Sequence, residues 1–116
     1  GGSIGKVAHV DRQCSCNQQI NAVTPFADQD GRLFAYFMRS PYFQSEVLSR
    51  APQTTLPILS KGKWIIIPFP VPPLAEQKRI VAKVESLLAL CDKLAAEVVA
   101  AEDVRGRLLS AVLNGE

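Results

Sequence analysis

Apolar side chains recur at Ile80, Val84, Leu87, Cys91, Leu94, Val98, Ala101, Leu108 and Val112, in alternating steps of four and three that only Arg105 interrupts. A heptad held this long without a proline predicts one amphipathic helix carrying a coiled-coil seam. Pro73 suits the opening of that helix, where its missing N–H is no loss, and Glu76 places negative charge in the first turn. Residues 72–114, at about 1.5 Å of rise each, span roughly 60 Å. A body of about 70 residues is less than half that across, so the seam is expected to need a partner. On it Cys91 is expected to act as a small, shielded hydrophobe.

The pattern over residues 1–71 is different. "IGKVAHV" (4–10) and "QQINAVTPF" (18–26) alternate or carry β-branched residues and predict strands, and "WIIIPFP" (64–70) predicts a last strand that Pro68 and Pro70 stop or confine to an edge. "DQDG" (28–31) is turn chemistry. "RLFAYFMRS" (32–40) gathers Leu33, Phe34, Phe37 and Met38 on one side of a helix. Ser40 followed by Pro41 is an N-cap and first-turn pair that starts a second helix over "PYFQSEVLSRA" (41–51). "APQTTLPILSKGK" (51–63) is an irregular connector. The expected fold class is therefore α+β: a small mixed domain over 1–71, then one long coiled-coil helix over 72–114.

Charge sharpens this division. Residues 1–71 hold seven basic against four acidic side chains, a net +3, and residues 72–116 hold six against seven, a net −1. A mildly basic body beside a near-neutral helix fits phosphate binding better than a pure scaffold. Lys6, Arg12, Lys61 and Lys63 flank predicted turns and are the candidate phosphate contacts; solvated surface charge is the plain alternative for each. The run from Ile80 through Val84, Leu87, Cys91, Leu94 and Val98 to Leu108 is the candidate helix interface. Arg105 either sets register or, beside Gly106, marks where packing loosens.

Catalytic chemistry finds little support. His9 is the single histidine, so no Ser/His/Asp set exists. "GGSIGK" (1–6) ends in lysine but lacks the spacing and the following Ser or Thr of a phosphate-binding loop, and a turn entering a strand explains it better. Cys14 and Cys16 would offer two metal ligands with His9, but no second pair follows, so no metal is expected. Three cysteines do not make a disulfide framework, and no signal-like or membrane-spanning run appears, so a cytoplasmic setting is expected. The absence of an initiator Met points to a sequence preceding Gly1. A coiled-coil interaction module without DNA binding is the rival reading, and a cysteine-dependent enzyme fragment a more distant one.

The residues also carry a resemblance. Pro70, Pro72, Pro73, Leu74, Glu76, Gln77, Ile80 and Val81 follow the "P-PPL-EQ--IV" pattern at the junction of a target recognition domain and its following helix in the DNA specificity subunit of type I restriction–modification systems. "GGSIGK", "CNQQINAVTP" (16–25) and "TTLPILSKGKWIIIPFP" (54–70) resemble that family's glycine turn, its "NQ-I--I-P" strand and its approach to the last strand. The resemblance covers residues 1 to about 114 and corresponds to the second part of one recognition domain plus its helix. It implies a non-catalytic reader of double-stranded DNA that contacts one half of a split target and holds no cofactor of its own. It further implies a spacer helix pairing antiparallel with a second spacer helix or a second copy. Methyltransferase (modification) subunits would dock nearby, bringing S-adenosylmethionine, and a restriction motor subunit would cleave.

Overall fold

A computed structural model describes residues 4–26, 28–54 and 57–115. Among the described residues four helices follow in order: α1 (Gly31–Met38), α2 (Pro41–Arg50), α3 (Lys61–Trp64) and α4 (Leu74–Leu113). The chain divides into two compact units, Gly1–Ile80 and Val81–Glu116.

The starts of α1 and α2 follow from their capping residues. The Asp30 carboxylate accepts the Arg32 backbone N–H at 3.0 Å, opening α1. Ser40 Oγ accepts the Phe43 N–H at 3.3 Å with Pro41 in the first turn of α2, the predicted pair. Pro73 lies just ahead of α4, its carbonyl accepting the N–H groups of Glu76 and Gln77 at 2.9 and 3.0 Å.

The core of the first unit is small and aliphatic–aromatic. Phe43 and Val47 of α2 pack with Leu59 and Ile67, and Ile4, Phe37, Met38 and Trp64 close around them. The proline-rich stretch after Ile67 is held by one aromatic anchor. Phe69 stacks on Phe34 (centroids 4.4 Å apart) and meets Phe37 edge-on at 4.5 Å, so α1 clasps it from two sides. Gln77 is buried, and its amide is satisfied at both ends: Oε1 accepts the Asp30 N–H at 3.2 Å and Nε2 donates to the Pro72 carbonyl at 2.9 Å.

The expected α+β class is not what folds: among the described residues there is no strand and no sheet. The three candidate strands fail for a common reason, since none finds a second strand to complete a ladder, and several of their polar groups are bonded elsewhere. In the first, Gly5 turns at φ +83° and the carbonyls of Gly5 and Val7 accept from the side chains of Gln44 and Arg39. In the second, residues 17–20 close a turn and Asn21 Nδ2 donates to the Leu59 carbonyl at 3.0 Å. In the third, Trp64 ends the short α3, the Ile67 N–H returns to the Trp64 carbonyl, and four prolines from Pro68 to Pro73 offer no donors. Val10, Ile20, Val23 and Phe26, which the alternation would have buried by half, are 45 to 85% exposed.

Replacing the buried amide is expected to show its weight. Gln77→Leu leaves the Asp30 N–H and the Pro72 carbonyl without partners and should lower unfolding free energy by about 1–3 kcal/mol in urea titration. Asp30 supplies a second test. Hydrogen bonding from the Arg32 side chain, chiefly, holds its carboxyl below the ordinary value of 3.8, with the Arg32 backbone N–H adding to this and burial opposing it. A lowered folded pKa means stabilisation present above pH 3.8 and lost as pH falls below it. Asp30→Asn keeps the cap, so the variant should lose stability less steeply than the parent below about pH 4 in acid titrations followed by circular dichroism.

Candidate nucleic-acid interface

Of the four candidate phosphate contacts, Lys6 is the one held by a built environment. Ile4 packs on the core cluster, and Gly5 occupies the left-handed region where a Cβ would collide with Gln44 Oε1. The Gly5 carbonyl accepts from Gln44 Nε2 at 2.8 Å, and the same nitrogen donates to Met38 at the end of α1 at 2.7 Å. One residue past Lys6, the Val7 carbonyl accepts from Arg39 Nη2 at 3.3 Å. Lys6 itself is exposed.

Arg12 sits differently. It is 87% exposed beside Asp11, whose carboxylate lies 3.9 Å away, so its charge is partly offset and its backbone is held by no regular element. Lys61 and Lys63 are brought together on α3 and both are exposed, behind a Ser60 N-cap whose side chain makes no capping bond. Two residues apart on a helix, they point about 200° from each other and form no single patch. From Val47 to Ala75 no acidic residue occurs, while Arg50, Lys61 and Lys63 do, so α3 lies in a wholly non-acidic stretch. Sequence reading missed Arg39, whose position beside the Gly5–Val7 turn depends on contacts 32 residues apart.

The candidate helix interface lies along α4. Ile80 and Val84 are half-buried, whereas Leu87, Cys91, Leu94, Val98 and Leu108 are exposed. Cys91, expected to be shielded, is exposed. Every Leu and Val from Leu87 to Leu113 is between 46 and 83% exposed. The apolar face is also wider than the seam alone: Leu88 and Leu109 directly follow seam residues, and Leu90, Val99 and Val104 add to the flanks. Asp103 and Arg107 pair at 2.6 Å four residues apart, an exposed contact of small weight. Among the described residues no group of three His, Cys, Asp or Glu side chains is placed to hold a metal, and no helix is long and apolar enough to cross a membrane.

A match to the family model of the type I restriction modification DNA specificity domain runs over residues 1–100 and takes in both the capped helices and the start of α4. The chain belongs to the type I restriction–modification DNA specificity family. Two curated relatives agree with this. The chain is 28% identical over 114 residues to the type I restriction enzyme EcoKI specificity subunit of Escherichia coli (strain K12), covering 97% of this chain and 25% of that protein. It is also 28% identical over 112 residues to the type I restriction enzyme StySPI specificity subunit of Salmonella potsdam, covering 95% of this chain and 24% of that protein. The chain thus spans about a quarter of the length of these relatives. No solved structure matches it. Both relatives are specificity subunits.

The exposure of all three thiols is directly measurable. In dilute native protein, Cys14, Cys16 and Cys91 should each be alkylated without denaturant, at rates within a few-fold of one another. If a partner covers the α4 face as concentration rises, Cys91 alone should become protected, and Leu87→Asp with Leu94→Asp should restore its reactivity; mass spectrometry of the labelled peptides reads both.

Proposed function

We propose that this chain is a non-catalytic DNA-reading piece of a type I specificity subunit. The observation that carries this reading is the specificity-domain match over residues 1–100, which spans the basic body and the first part of the long helix alike. In this reading residues 1–71 face one half of a bipartite double-stranded target, with Lys6, Arg12, Lys61 and Lys63 on phosphates. Residues 72–114 act as a spacer whose exposed apolar face pairs with a second spacer helix or a second copy of the chain. Methyltransferase subunits dock on the assembly, a restriction motor subunit joins it, and the work is done in the cytoplasm. The division of labour is physical: charge on the body sets the protein on the duplex, while a helix of constant rise sets the distance between two half-sites.

Phosphate attraction needs only charge in roughly the right place, so binding by the chain should be governed by salt. With three or four phosphates neutralised, log affinity for a mixed-sequence duplex should fall against log salt with a slope of about −3. Lys61→Glu with Lys63→Glu should flatten that slope, and Lys78→Glu with Lys83→Glu on α4 should change it less; fluorescence anisotropy across a salt series measures both. A chain that acts only as a coiled-coil scaffold would show no duplex binding at low salt and no effect of either pair.

A further inference from the structure

We infer that the Gly5–Val7 turn is a preset phosphate-contact element in which Lys6 makes the contact and Gln44 is its positioning residue. This rests on the DNA-binding reading above. The exposed lysine is fixed from three directions. Before it, Ile4 is packed on the core and the Gly5 carbonyl is held by Gln44. After it, the half-buried Val7 gives its carbonyl to Arg39. Both bonds come from side chains more than 30 residues away, one on α2 and the other just after α1, so the tertiary fold and not the local chain sets where Lys6 stands. Gln44 closes the arrangement by binding Gly5 and Met38 with one nitrogen while its oxygen occupies the space a Cβ at position 5 would need. Any side chain at position 5 would collide with the clamp and would also be strained at φ +83°.

Among the described residues Lys6 has no ion pair, and Arg39 brings a second exposed cation to the carbonyl of the next residue, Val7. A lysine on a free loop loses backbone and side-chain freedom when it meets a phosphate. One on an immobilised turn loses only its own rotamers, so ordering costs less on binding. Gln44 carries no charge and lies partly buried, so it acts on the contact only through the turn.

The test is a double-mutant cycle on the full chain with a 25-base-pair mixed-sequence duplex as probe, read by anisotropy from low to moderate salt. Lys6→Gln should weaken binding about tenfold near 50 mM salt and reduce the salt slope by about 0.9, the effect of one phosphate contact. Gln44→Met removes both hydrogen bonds without changing charge or greatly changing volume. It should weaken binding about threefold or more when Lys6 is present and have no further effect in the Lys6→Gln background, because a positioning role acts only through the positioned group. Gly5→Ala, which disturbs the same clamp from its other side, should follow the same pattern and serves if Gln44→Met does not fold. A loss from Gln44→Met or Gly5→Ala that persists undiminished in the Lys6→Gln background overturns the inference, as does a Lys6→Gln variant with unchanged affinity and slope. Failure of the parent chain to bind duplex at any salt overturns the DNA-binding reading itself, an outcome separate from the other two.

Discussion

The buried amide of Gln77 is the contact on which the first unit turns. It is 2% exposed, and its two ends reach the Asp30 N–H and the Pro72 carbonyl, which are 42 residues apart in the chain. Asp30 is the N-cap of α1, so the amide fixes where that helix begins. Pro72 lies in the proline-rich stretch whose Phe69 is clasped by Phe34 and Phe37 of the same helix. The anchor of the aromatic clasp and the cap of the helix that forms it are therefore joined through one side chain. A neutral group suits this position because an amide donates and accepts at once. A carboxylate there would bring charge into an apolar site and have no donor for Pro72.

The same logic of side chains standing in for backbone partners runs through the rest of the unit. Gln44 serves Gly5 and Met38, Arg39 serves Val7, and Asn21 serves Leu59. In a sheet the Gly5 and Val7 carbonyls would meet neighbouring N–H groups; here glutamine and arginine reach across the fold to them instead. This arrangement keeps extended backbone in place without a ladder, and it leaves Val10, Ile20, Val23 and Phe26 facing outward. It also gives the basic positions unequal standing, since Lys6 sits on a turn tied at both ends while Arg12 sits beside Asp11 on backbone held by no regular element.

The helical elements were legible from local chemistry because capping and periodicity are local. Ser40 and Pro41 start α2, Leu33 and its neighbours mark α1, and the heptad from Ile80 runs through α4 to Leu113. The strands were misread for the opposite reason. Alternation and β-branching say that a segment fits a pleated surface, not that a second segment is present to pair with it. The family relationship was likewise readable, from the resemblance carried by the "PPL-EQ" run from Pro72 to Gln77 and its companion motifs.

What the sequence determined by itself was therefore the boundaries of α1, α2 and α4, though not α3 in the stretch read as connector and strand, together with the apolar face of α4, the basic bias of residues 1–71 and membership of the specificity family. Each depends on interactions within a few residues or on composition, which a single chain displays without folding. Only the tertiary structure decided that the β-branched segments stay unpaired, that Arg39 comes to the Val7 carbonyl beside Lys6, and that Cys91 is open to solvent. These depend on contacts between residues tens of positions apart, or on the absence of a covering neighbour. Both are set by how the chain closes in space, where loop entropy and packing choose among pairings that local pattern leaves equivalent.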